Sequence, residues 1–129
     1  MFTDFNRVII GGRILRDPEL KFDSKGQAVT NLSLSVRRTW IDDQKRTHEE
    51  LSCVDFVAWG KTAEAMCRHT PKGTAVIIDG RLREDTWVDR ETGENRRKLV
   101  VVIFGYQNLS AYDATNSRGA VEVPCPQPV

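Results

Sequence analysis

The stretch ELSCVDFVAWGK, Glu50 to Lys61, decides how the rest of the chain is read. Counting by twos puts Val54, Phe56 and Ala58 on one side and Cys53, Asp55, Val57 and Trp59 on the other, the period of a strand. Gly60 closes the run. The segment after it, KTAEAMCRHTPKG, reads as a short helix with Thr62 as its N-cap and Ala63, Met66 and Cys67 on one face. Thr70-Pro71-Lys72-Gly73 ends that helix. One face of the strand is core-like, whereas the other mixes a carboxylate with a large aromatic beside Lys61. A tryptophan in that setting is either a packing residue or a flat surface on which a partner stacks.

On either side lie more strands. NRVIIGGRI, from Asn6, is β-branched and interrupted by Gly11-Gly12, as in a strand that bends or bulges. RDPEL and DSKGQ are turn signals. AVTNLSLSVRRTW, from Ala28, alternates with Leu32, Leu34 and Val36 on one face, and the polar IDDQKRTHEE after it reads as a hairpin loop. TAVIIDGRLREDTW and RRKLVVVIFGY supply two further strands, the last apolar on both faces over Leu99–Phe104 and so expected to be buried. The resulting order is all-β: five strands with one short helix between strands 3 and 4, the order of the OB-fold, a five-stranded Greek-key barrel suited to oligonucleotides or oligosaccharides. Residues 1–109 are expected to form that domain, and residues 110–129, with prolines at 124, 126 and 128, a short flexible tail.

The 129 residues suit one domain, and 40% hydrophobic with 29% charged residues is an ordinary globular composition. No apolar run approaches the ~20 residues of a membrane span, and the first residues lack the pattern of a secretory or transit signal, so no membrane association is expected. Three cysteines at unrelated spacings make no disulfide framework, which fits a reducing cytoplasm. Cys67 and His69 lack the companions of a zinc site. There is no phosphate loop, metal-binding helix or activated nucleophile, and Asp42-Asp43 and Glu49-Glu50 read as solvated charge. Neither catalysis nor a cofactor is expected.

Net charge is only +1, yet the basic residues cluster at Arg37-Arg38, at Arg81 and Arg83, and at Arg96-Arg97-Lys98. Such clusters serve as solvated strand ends or as a binding side. Three tryptophans, Trp40, Trp59 and Trp87, fall at or near predicted strand ends, each with basic neighbours. Aromatic platforms interleaved with cations are what sequence-tolerant single-strand binding needs, because every base has a π-face and the cations neutralise the phosphates between.

NRVIIGGRILRDPELKF, KGQAVTNLSLSV, VAWGKTAE and KGTAVIIDGRLR together resemble the bacterial single-stranded DNA-binding protein family, in order and with family-like spacing from about Asn6 to about Leu109. The resemblance implies an OB barrel that binds single-stranded DNA without sequence preference in replication, recombination and repair, in the bacterial cytoplasm at the nucleoid. It also implies a homotetramer, or a dimer. Trp40 and Trp87 match stacking positions of the family, and Trp59 stands where the family usually has a stacking Phe. Arg7, Lys61, Lys72 and Arg83 match positions that are usually basic, and Arg37 and Arg38 are added to the backbone-binding set by their nearness to Trp40.

The departures from that pattern weaken the expected site. Cys53 stands where a further stacking Trp is common, Asp55 where a basic residue is common, and Glu84-Asp85-Thr86 replaces a basic run. If Trp40 is to stack on DNA, its strand is expected to twist or bulge between Val36 and Trp40. The tail ends VPCPQPV rather than in the family's acidic, Phe-tipped segment, which argues against recruiting repair and replication proteins through it. Two alternatives follow: a primosomal-like OB module that binds proteins with DNA contact secondary, and a binder of structured RNA or oligosaccharide.

Overall fold

The computed structural model describes residues 3–110, and the expected tail lies outside the described residues apart from Ser110. Five long strands close on themselves: β1 (Val8–Ile14), β3 (Ala28–Ile41), β4 (Thr47–Trp59), β5 (Ala75–Val88) and β6 (Asn95–Asn108). A two-residue strand, β2 (Lys21–Phe22), pairs with the start of β3. The sheet runs β1-β5-β6-β4-β3-β2, and the additional β1–β3 pairing turns it into a barrel. All pairings are antiparallel except β4–β6, where Phe56 lies beside Val101 and Val57 beside Val102. Helix α1 (Gly60–His69) sits between β4 and β5, the third and fourth barrel strands, as expected.

Alternation builds the interior. Ile14, Leu32, Leu34, Phe56, Val76, Ile78 and Val101 are buried in one cluster, which Ala63 and Met66 of α1 join. The expected bend in β1 is a change of partner: Val8–Arg13 pair with β5, while Arg13 and Ile14 pair with Ser35 and Leu34 of β3. Gly12 permits this, since a Cβ there would lie 2.3 Å from the Ser35 carbonyl oxygen. Gly80 plays the same part at the register shift between β5 and β6, where a Cβ would lie 2.2 Å from the Val102 carbonyl oxygen.

Three turns use one device. Asp23, Asp42 and Asp89 each accept a hydrogen bond at Oδ1 from the backbone N–H two residues on, at 2.9 Å in all three. The turn at Asp42 is so compact that β3 runs on to Ile41 and β4 begins at Thr47, and half of the polar loop expected from Ile41 to Glu50 is strand.

Two other expectations are corrected. The helix starts at Gly60, so Thr62 lies inside it; the position before the helix is Trp59, which makes no side-chain capping bond. Thr70 does end the helix, its N–H and hydroxyl both donating to the Met66 carbonyl. The last strand is buried only over Val100–Ile103, while Leu99 and Phe104 are exposed, because β6 outruns the barrel at one end and meets the β5 register shift at the other.

Candidate nucleic-acid interface

Directly opposed residues of an antiparallel pair share a face, and that rule assembles the outer side of the barrel. On β4 the outward residues are Cys53, Asp55, Val57 and Trp59, opposite Ser35, Ser33, Asn31 and Val29 of β3. On β6 they are Arg96, Lys98, Val100 and Val102, and on β5 Trp87, Asp85 and Arg83 face the first three of these. The parallel β4–β6 pairing joins the two sets into one surface, as the ion pair between Lys98 Nζ and Asp55 Oδ2 at 2.6 Å confirms.

Trp59 and Trp87 therefore lie on a common face. Trp59 is half-buried against Val57, Val100, Val102 and Val29, an apolar patch on the outside of the barrel, so it both packs and remains partly open to solvent. Trp87, on the β5–β6 ribbon, is 47% exposed.

Trp40 leaves from the other side of the β3–β4 ribbon. The ladder from Val29–Trp59 to Ile41–Thr47 is unbroken, so the expected bulge between Val36 and Trp40 is absent. The ring is nevertheless 37% exposed, because β1 covers β3 only at Leu34 and Ser35 and the ribbon beyond them projects from the barrel. It already has company: His48 stacks on it at 5.3 Å between centroids, and the Arg38 guanidinium lies 4.8 Å from its centre. His48 is held in turn by Asp42 at 2.7 Å.

The cations divide into paired and open ones. Arg7 forks onto Asp79, Arg37 meets Glu49 at 3.0 Å, Arg38 meets Glu50 at 3.8 Å, and Arg83 meets Asp85 at 2.7 Å. Lys61 and Lys72 are exposed and make no ion pair among the described residues. Partial burial pushes the Asp55 carboxyl up, but hydrogen bonds from Lys98 and Ser33, with the charges of Lys98 and Arg16, together outweigh it and hold the group below the usual carboxylate range. The Arg83 hydrogen bond does the same for Asp85 against a smaller opposing effect of burial. Both are anions at neutral pH and hold the two cations that lie nearest the middle of the face.

Lys98 and Arg96 were legible as a basic cluster but not as members of this surface. Their outward direction follows from alternation with the buried Val101, whereas their nearness to Asp55 needs the parallel β4–β6 neighbourhood, which no local pattern reveals. Among the described residues no group of His, Cys, Asp or Glu is arranged to hold a metal ion, and no helix is long and apolar enough to cross a membrane.

The barrel, with aromatic and cationic side chains along its outer strands, is an OB-fold, an architecture that serves oligonucleotide and oligosaccharide binding. The chain belongs to the Single-strand binding protein family, which it matches over residues 5–109. It is 32% identical over 114 residues to a single-stranded DNA-binding protein 1 of Chlorobaculum tepidum, covering 88% of this chain and 70% of that one. It is 34% identical over 111 residues to a single-stranded DNA-binding protein of Treponema pallidum, covering 84% and 60%. A third, from Helicobacter pylori, is 33% identical over 96 residues, covering 74% and 54%. The chain thus spans only part of the length of these relatives. Among solved structures, the Plasmodium falciparum SSB complex with single-stranded DNA superposes with a TM-score of 0.75 at 16% identity, over 84% of this chain and 98% of that one. A deletion mutant of the Thermus aquaticus single-stranded DNA-binding protein gives 0.73 at 21%, over 84% and 52%. At these identities the likeness is one of fold.

Proposed function

We propose that this chain binds and coats single-stranded DNA through its barrel domain, residues 1–109, without requiring a particular sequence, in replication, recombination and repair. Family membership over nearly the whole barrel is the observation that carries the reading. The common face of Trp59 and Trp87, bordered by Arg83, Arg96 and Lys98, supports it from the side chains. In this reading Trp87 and Trp59 stack bases, Trp40 adds a platform on the projecting ribbon, and Arg7, Arg37, Arg38, Lys61, Lys72 and Arg83 serve the phosphates. Lys61 and Lys72 meet a phosphate without first giving up a carboxylate, so they are the strongest members of that set.

The assembly belongs to the same proposal: a homotetramer, or a dimer, formed through the outer side of the barrel, where Ile9, Ile77 and Phe104 are exposed. A bacterial cytoplasmic setting at the nucleoid is supported by the bacterial relatives. Recruitment of other proteins through the tail is not part of the reading.

The second reading, a protein-binding OB module with secondary DNA contact, draws on the carboxylates that already hold Lys98, Arg83, Arg37 and Arg38. Titrating tryptophan fluorescence with oligo-dT, duplex DNA and oligo-rU at several salt concentrations separates the two. Quenching by oligo-dT in preference to the others supports single-strand binding. No quenching by any nucleic acid overturns it. Light scattering on the same sample reads the assembly state.

A further inference from the structure

Beside the Asp55–Lys98 pair the surface falls into a concavity of about 430 Å³, between the segment after β1 and the outward residues of β3, β4 and β6. Asn31, Ser33, Asp55, Lys98 and Val100 line it, with Arg16 at the rim of the β1 side. Its wall carries four carboxylates against three basic side chains. That balance disfavours a phosphate. It suits the edge of a base that presents amino hydrogens, because an ionised carboxylate accepts hydrogen bonds and cannot donate.

Asp55 is set up as such an acceptor. Its Oδ1 receives the Ser33 hydroxyl at 2.6 Å and its Oδ2 the Lys98 ammonium at 2.6 Å. These contacts orient the group and offset its charge, yet they use only two of its roughly four lone-pair sites. The side chain remains 39% exposed. Asn31, two residues from Ser33 on the same face, adds an amide that both donates and accepts. Cys53, two residues before Asp55 and exposed, puts no ring on this part of the face, so a base lying here is free to turn its edge inward.

We propose that this concavity is a base-reading subsite in which Asp55 accepts a hydrogen bond from an exocyclic amino group, so that the bound strand favours cytosine over thymine there. The proposal rests on the single-strand-binding reading and deepens it. Stacking and strand flexibility tell bases apart only modestly and do not depend on Asp55, whereas hydrogen bonds read the base edge itself. Cytosine offers its N4 amino group to a carboxylate. Thymine turns carbonyl oxygens outward on both sides of its single N3–H, and a carboxylate repels them.

The test uses the full chain with labelled oligo-dC and oligo-dT of equal length, at a mildly alkaline pH that keeps cytosine neutral, read by fluorescence anisotropy. The wild type is expected to bind oligo-dC tighter by about three- to tenfold, the discrimination one hydrogen bond confers. In Asp55→Ala the preference is expected to disappear, even though removing an anion strengthens binding to both strands. The ratio is the readout, since a change of charge alone moves both affinities together. Equal affinities in the wild type overturn the subsite, and that outcome does not depend on any variant folding. A ratio unchanged in Asp55→Ala overturns the role of Asp55. Binding of neither strand overturns the single-strand reading itself and this subsite with it.

Discussion

Lys98 on β6 gives its ammonium to Asp55 on β4, 2.6 Å away across the parallel strand pair, while Asp85 faces it across the β5–β6 ladder. The lysine nearest the middle of the outer face thus stands between two carboxylates. A DNA phosphate that reaches Lys98 has to displace Asp55, and the carboxylate takes the place of a counterion that binding would otherwise release. The wild-type slope of log K against log salt is therefore expected to be shallow. Asp55→Asn keeps the shape of the side chain and frees the lysine, so low-salt affinity rises and the slope steepens by about 0.7, one phosphate's worth for a single strand. Titrations at four or five salt concentrations measure both slopes. Parallel lines would remove Lys98 from the DNA path.

Trp59 and Trp87 share a face but not a structural burden, and truncation should separate them. Trp59 covers the outer patch of Val57, Val100 and Val102, so Trp59→Ala is expected to cost about 2 kcal/mol of folding stability, less than a fully buried aromatic. Trp87 stands 47% exposed on a ribbon, so Trp87→Ala is expected to leave stability within about 0.5 kcal/mol. Each change should weaken single-strand binding by about 1–3 kcal/mol if each ring stacks a base. Chemical denaturation and binding titrations on the same preparations give both quantities. A Trp87→Ala protein that binds like the wild type would assign that ring to another role.

The five long strands and the helix were legible because alternation and the Gly60 break are local signals. Two-residue β2 was not, since a period cannot show itself in Lys21 and Phe22 alone. The case of Trp40 is more instructive. Alternation placed it on the side of Leu34 and Val36, and the unbroken ladder keeps it there. The expected bulge rested on treating that side as interior all along β3, whereas the pairing with β1 reaches only Ser35 and the interior ends at Val36. For the site, the outward residues of each strand could be named strand by strand. The pairing of Lys98 with Asp55 could not, because it depends on which strands become neighbours when the barrel closes.

Four carboxyls, those of Asp42, Asp55, Asp85 and Asp89, are held below the ordinary value of 3.8. For Asp42 the His48 hydrogen bond is the main cause, and for Asp89 the Glu91 backbone N–H followed by Arg96. A depressed folded value means stability that is whole above 3.8 and is lost as pH falls through the lower folded values. All four groups have some access to solvent, so each contribution is small. The melting temperature is expected to hold level from neutral pH to about 5 and to fall below about 4. Asp42→Asn preserves the Oδ1 acceptor of the turn while deleting the titrating group, so its acid loss should be smaller than the wild type's. Thermal melts in small pH steps show this. An equally steep loss in the variant would place the acid sensitivity elsewhere.

Barrel closure depends on two places where backbone approaches backbone. A Cβ on Gly12 would lie 2.3 Å from the Ser35 carbonyl oxygen, and one on Gly80 would lie 2.2 Å from that of Val102 and 2.9 Å from Cγ1 of Val101. These oxygens belong to paired strands, so they cannot swing aside as the end of a flexible side chain would. Gly11 is the built-in control: a Cβ there would meet only the Ile77 side chain at 3.5 Å and the Val76 oxygen at 3.7 Å, ordinary contact distances. Gly12→Ala and Gly80→Ala are each expected to lose about 3 kcal/mol, the upper range for forcing extra volume into a packed site. Gly11→Ala is expected to stay within about 0.5 kcal/mol. Urea denaturation midpoints compare the three directly. If Gly11 and Gly12 proved equally tolerant, the β1–β3 contact would not be what closes the barrel.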